Sequence, residues 1–87
     1  MKIIIAGAGE VGFHLAKLLS NESHDIVLID MKRDRLSYSE NHIDVITIRG
    51  NSTSIKTLED ANVEEADLLI AATSSETTNM AINKWKN

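Results

Sequence analysis

Six residues near the amino end, Gly7-Ala8-Gly9-Glu10-Val11-Gly12, carry the G-x-G-x-x-G spacing that lets a backbone close around a phosphate group. In this pattern the first glycine allows a sharp turn, the second lets a pyrophosphate approach the main chain, and the third lets a helix pack closely on a sheet. The following helix would present unpaired N–H groups and the positive end of its dipole to the phosphates. Asp30 follows at about the 20-residue spacing where a carboxylate takes ribose hydroxyls. A carboxylate there favours a free 2′-hydroxyl and repels a 2′-phosphate, so NAD(H) is expected over NADP(H). Lys32 and Arg33 could soften that preference, although a solvated helix start explains them better. Two plainer explanations stand beside these. The glycines could serve only the turn, and Asp30 could cap a helix.

The flanking elements support the ligand reading. Lys2-Ile3-Ile4-Ile5-Ala6 is a β-branched run of the kind buried on both faces of a parallel sheet. A helix is expected from Glu10, with Val11, Leu15, Leu18 and Leu19 as its apolar stripe and the polar run 20–24 as its end. Asp25 to Asp30 reads as the second strand, Met31 to Asn41 as a weak helix anchored by Leu36, and Asp44 to Ile48 as the third strand. Ser52 or Thr53 is expected to cap a third helix with Ile55, Leu58 and Ala61 on one face. Residues 62–66 read as a connector and Asp67 to Ala72 as the fourth strand. Thr73 and Glu76 have capping-box spacing for a fourth helix through Met80 and Trp85, with Trp85 packing on the protein. This alternation predicts one α/β domain over residues 1–87, a Rossmann-like three-layer α/β/α arrangement around a parallel sheet of strand order 3-2-1-4. Such a sheet has six strands when complete, so the chain is expected to be a fragment of a longer protein, with strand four as an exposed edge.

Ligands of open α/β sheets bind along the carboxyl ends of the strands. The candidate contacts on that rim are Gly7 to Gly12, Asp30, Met31, Asn51, Ser52, Thr73 and Ser74. Asn51 could line the adenine side, and Thr73 and Ser74 could reach phosphate or the second ribose. Asn51 as a turn residue and Thr73 as an N-cap are comparably good readings. Glu10 is awkward beside phosphates but favourable at a helix amino end. His14, His24 and His42 lack metal-ligand spacing and are expected to be solvated, on one helix surface and two connectors.

Composition narrows the function further. With no cysteine among 87 residues, a disulfide framework and a thiolate zinc site are both excluded. A formal charge of -4 argues against nucleic-acid binding through a basic surface. No run approaches the roughly 20 apolar residues of a membrane span, so any work at a membrane is expected to go through a partner.

Several blocks together resemble the N-terminal nucleotide-binding domain (KTN, or RCK-N) of the Trk-type potassium-uptake regulators, the TrkA family. They are Met1 to Ile5 leading into the glycine turn, Ile29-Asp30, Gly50-Asn51-Ser52, residues 61–67 and residues 72–80. The resemblance implies a non-catalytic, peripheral cytoplasmic domain that binds NAD(H), or ATP and ADP in some relatives. It further implies homo-oligomers whose nucleotide state gates a membrane potassium translocator at the inner face of the membrane. The ligand contacts it implies are Gly7 to Gly12, Asp30, and Thr73 with Ser74. The competing readings are the cofactor half of an NAD-dependent dehydrogenase and an assembly module built on the sheet edge.

Overall fold

A computed structural model describes residues 1–72. The elements are β1 (Lys2–Ala6), α1 (Glu10–Ser20), β2 (Asp25–Asp30), α2 (Arg33–His42), β3 (Ile46–Arg49), α3 (Ile55–Asp60), a 3-10 turn (Val63–Glu65) and β4 (Leu68–Ala71). The expected fourth helix, with Thr73, Ser74, Met80 and Trp85, lies outside the described residues. All pairings are parallel and the order is β3-β2-β1-β4, as expected from the sequence.

Side chains alternate across the sheet, so each central strand serves two cores. Ile3, Ile5, Ile26 and Leu28 face α1 and α2, meeting Ala8, Ala16 and Leu36. Ile4, Ala6, Val27 and Ile29 face the other way, against Leu58, Ala61 and Val63. This gives the three layers. Full burial of β1 on both faces explains its unbroken β-branched run, with each isoleucine contributing about 2 kcal/mol of hydrophobic stabilisation.

The helices turn inward differently from the apolar pattern. Val11 is 69% exposed and Leu18 is 61% exposed, while Gly12 and Ala16 are buried, with Leu15 and Leu19 packing at the edge of the core. Small residues face the sheet because α1 must approach it closely, and that rotation carries Val11 and Leu18 outward. In α3, Ile55 is 56% exposed and Thr57 is buried beside Leu58. The cap is Ser54, whose hydroxyl accepts from the Thr57 N–H at 3.5 Å, in place of Ser52 or Thr53. Thr53 is held instead by the Asn51 side chain. In the connector, Asn62 takes a left-handed conformation (φ 57°), and Val63 drops fully into the core.

Strand edges move by a residue or two. β3 begins at Ile46, because its pairing with β2 starts at Val27. Asp67 and Ala72 lie just outside β4 but still bond to β1, through Lys2 O at 2.8 Å and Ala6 O at 2.7 Å. His42 is the last residue of α2, not a connector residue; it stacks on Tyr38 at 4.1 Å between ring centres and its Nδ1–H donates to the Tyr38 carbonyl. His14 and His42 are exposed, whereas His24 is half-buried. Among the described residues, no cluster of three metal-ligating side chains occurs.

Packing between α1 and the turn before it is close. A Cβ at Gly12 would lie 1.7 Å from the Gly7 carbonyl oxygen. Gly12→Ala is therefore expected to destabilise the domain by about 3 kcal/mol, the upper range for overpacking. Val11→Ala, one position away but exposed, should stay within about 0.5 kcal/mol. Urea unfolding of both variants checks this; equal stabilities would mean that α1 does not rest on the turn.

Candidate functional site

β1 ends at Ala6, and the Gly7 N–H extends its ladder by one bond to the Ile29 carbonyl at 2.7 Å. The chain then reverses. Gly7 has φ 112°, a region that side chains other than glycine's rarely adopt. Gly9 is the N-cap of α1 and brings no side-chain cap; the first helical bond runs from the Phe13 N–H to the Gly9 carbonyl at 2.9 Å. The N–H groups of the first turn, from Glu10 onward, consequently point out of the helix without an intrahelical acceptor. Glu10 places its carboxylate in that turn, where the helix dipole stabilises it.

Asp30 ties this turn to β2. The Ala8 N–H donates to Asp30 Oδ2 at 2.8 Å, and the Lys32 N–H donates to Oδ1 at 2.8 Å. The side chain is only 8% exposed. Each oxygen keeps further acceptor capacity, since a carboxylate offers about four lone-pair sites in all. Asp30 therefore braces the glycine turn and the β2–α2 loop; its bond to the Lys32 N–H lies one residue before α2, so it does not cap the first-turn N–H groups of that helix, and it keeps acceptor capacity.

Three depressions surround the turn. One of about 260 Å³ is lined by Gly7, Asp30, Met31, Gly50, Asn51 and Ser52, with Lys32 and Arg35 at its side. A second, of about 460 Å³, runs past Gly9, Glu10 and Val11 to Ala71 and Ala72. It lies between β1 and β4, where the crossovers leave the sheet on opposite faces, the switch point at which α/β sheets hold ligands. The third, of about 470 Å³, opens between α1 and α2 beside Phe13, His14 and Tyr38. Each is within or just under the range of small-molecule sites, roughly 300–1,000 Å³.

Most of the predicted contacts meet here. Gly7, Gly9, Glu10, Val11, Asp30, Met31, Asn51 and Ser52 line the first two depressions, and Ala8 lines the third. Gly12 is not at their surface; it serves through packing. Asn51 combines its two readings: its side-chain oxygen accepts from the Thr53 N–H and hydroxyl at 2.9 and 2.7 Å while the residue lines the rim. Thr73 and Ser74 lie outside the described residues.

Sequence reasoning missed Arg35, which lines all three depressions. Its Nη1 sits 3.6 Å from Asp30 Oδ2 and 3.6 Å from where a Cβ on Gly9 would be. The usable signal was positional. Helical side chains lean toward the amino end, so a residue early in α2 and next to the buried anchor Leu36 reaches back over the β2–α2 loop. Ala71 and Ala72 were hidden inside a strand.

The TrkA-N domain family model matches residues 3–84. The chain belongs to the TrkA-N domain family. A Trk system potassium uptake protein TrkA homolog of Methanothermobacter thermautotrophicus is 40% identical over 80 residues, 92% of this chain and 37% of that protein. The Trk system potassium uptake protein TrkA of Vibrio alginolyticus is 41% identical over 81 residues, 93% of this chain and 18% of that protein. The TrkA-N chain thus spans well under half the length of these relatives. A solved Kef C-terminal domain of Shewanella denitrificans, in an AMP-bound form, superposes with a TM-score of 0.82 at 24% identity, over 98% of this chain and 50% of that one. That likeness shows the fold.

The two turn glycines should respond unequally. Gly7→Ala is expected to cost about 1–3 kcal/mol from backbone strain at positive φ. Gly9→Ala, with φ -73° and only an ordinary contact to Arg35, should leave stability within about 0.5 kcal/mol. Denaturation midpoints of the two variants test this, and a larger loss at Gly9 would contradict the turn geometry.

Proposed function

We propose that this TrkA-N domain is a non-catalytic nucleotide sensor, selective for NAD(H), that regulates potassium uptake by a membrane translocator. The observation that carries the reading is the 2.8 Å bond between Asp30 and the Ala8 N–H, which makes the ribose-type acid and the phosphate-type turn one rigid unit. In this arrangement the adenosine ribose meets Asp30, the adenine lies toward Met31, Asn51 and Ser52, and the pyrophosphate crosses Gly9 to the amino end of α1. The remaining half of the ligand runs toward Ala71, Ala72, Thr73 and Ser74. The backbone supplies the anion contacts, which suits a chain of net charge -4.

The potassium role rests on the printed names of relatives at about 40% identity. Among the described residues no helix is long and apolar enough to cross a membrane, and a membrane potassium translocator as partner belongs to this proposal on the strength of those names. Cytoplasmic placement at the inner face of the membrane and assembly as a dimer or larger homo-oligomer belong to the same proposal. Nucleotide gates the translocator only if it binds two arrangements of the assembly unequally. ATP or ADP as the physiological ligand is the second reading, favoured by the AMP-bound form of the structural neighbour.

Calorimetric titration with NADH, NADPH, ATP and ADP tests the proposal. NADH is expected to bind more tightly than NADPH, and Asp30→Ala should weaken NADH by about 1–3 kcal/mol through lost ribose hydrogen bonds. Unchanged NADH affinity in Asp30→Ala would remove the carboxylate from the ligand site. A preference for ATP or ADP would move the sensed quantity from redox state to energy charge.

A further inference from the structure

The ligand path proposed above is charged the wrong way for an anion. The second depression, along which the pyrophosphate would run, is lined by the carboxylates of Glu10 and Asp30. Arg35 is the one side-chain cation among the described residues that lines it. Its guanidinium stands over Gly9, on the face that the missing Cβ leaves open, with Nη1 and Cζ at 3.6 and 3.8 Å from the Cβ position. It therefore occupies the space through which a phosphate would approach the backbone.

Its tie to Asp30 is loose. The separation of 3.6 Å exceeds a good charge-assisted hydrogen bond, and the arginine side chain is 46% exposed. Only the arginine end is exposed, Asp30 being 8% exposed, so the guanidinium can leave without being dehydrated and the cost of exchange falls on the carboxylate. Both Asp30 oxygens meanwhile hold backbone N–H groups, which keep the carboxylate in place when the guanidinium leaves.

We infer that Arg35 is a partner-exchanging cation that pairs with Asp30 and transfers to the ligand's phosphates on binding, selecting phosphorylated nucleotides over nucleosides. This inference rests on the nucleotide reading of the groove. Transfer does two things at once. It supplies the positive charge that a diphosphate needs beside two carboxylates, and it uncovers Asp30 for the ribose hydroxyls. A planar guanidinium with five donors suits both partners, which a lysine ammonium matches less well.

The test compares ADP with adenosine on the 87-residue chain, using Arg35→Gln, Arg35→Lys and Asp30→Ala. Arg35→Gln is expected to weaken ADP about 10- to 100-fold and adenosine less than about 3-fold, with Arg35→Lys between wild type and Arg35→Gln for ADP. Raising KCl should weaken ADP binding to wild type more steeply than to Arg35→Gln, because salt screens the charge pair. That salt series decides the matter on ADP alone where adenosine binds too weakly to titrate. Equal losses for ADP and adenosine, or equal salt slopes, would overturn the exchange. Asp30→Ala reads the underlying function separately. Loss of ADP affinity there with no Arg35 effect rejects this inference and keeps the site, whereas a wild-type chain that binds no nucleotide removes both.

Discussion

The close contact between Gly12 and the Gly7 carbonyl governs the geometry of this domain. With no side chain at position 12, α1 drops onto the turn that precedes it, and its amino end is held at the carboxyl ends of β1 and β4. That placement fixes where the unpaired N–H groups of the first helical turn point. It also decides which face of α1 meets the sheet, bringing Ala16 inward and sending Val11 and Leu18 to the surface. The same inward turn leaves room beside Gly9 for the Asp30–Ala8 bond and for the arginine above it.

Around that contact the strand ends form a shared rim. Gly7, Gly50 and Ala72 each donate one bond beyond the end of a neighbouring ladder, to Ile29, Asp30 and Ala6 respectively. Three loops are thereby held at one level, and the groove walls come from rigid strand ends more than from independent loops. Electrostatics is divided along the same line. Fixed partial charges come from the backbone, while the side chains of Glu10, Asp30 and Arg35 line the depression between β1 and β4. An anion site of the kind proposed for this chain would thus need no basic surface.

The central strands were legible in the sequence because burial on both faces leaves an unmistakable β-branched run, as at Ile3 to Ile5. Strand order followed from the alternation of elements and the handedness of crossovers, and the position of Asp30 beside the glycine turn from its distance past the glycines. The inward face of α1 was not legible. Apolar spacing favoured Val11 and Leu18, whereas close approach selected Gly12 and Ala16, and hydrophobicity does not encode approach distance. Capping of α3 was ambiguous because residues 52–54 all carry hydroxyls; the choice fell to Ser54 once Asn51 had engaged Thr53. Arg35 was lost in the charged run 32–35, where only the lean of helical side chains separates a groove residue from a solvated one.

The most direct test of the site is amide chemical-shift mapping of the isotope-labelled chain during titration with NADH. Binding in the groove predicts that the largest shifts fall on residues 7–12, 30–32 and 50–52, with little change at Lys2, Asp25 or the far end of α1. Shifts centred between α1 and α2, near Phe13 and Tyr38, or at the opposite end of the sheet would contradict the assignment of the glycine turn and Asp30 as one nucleotide site.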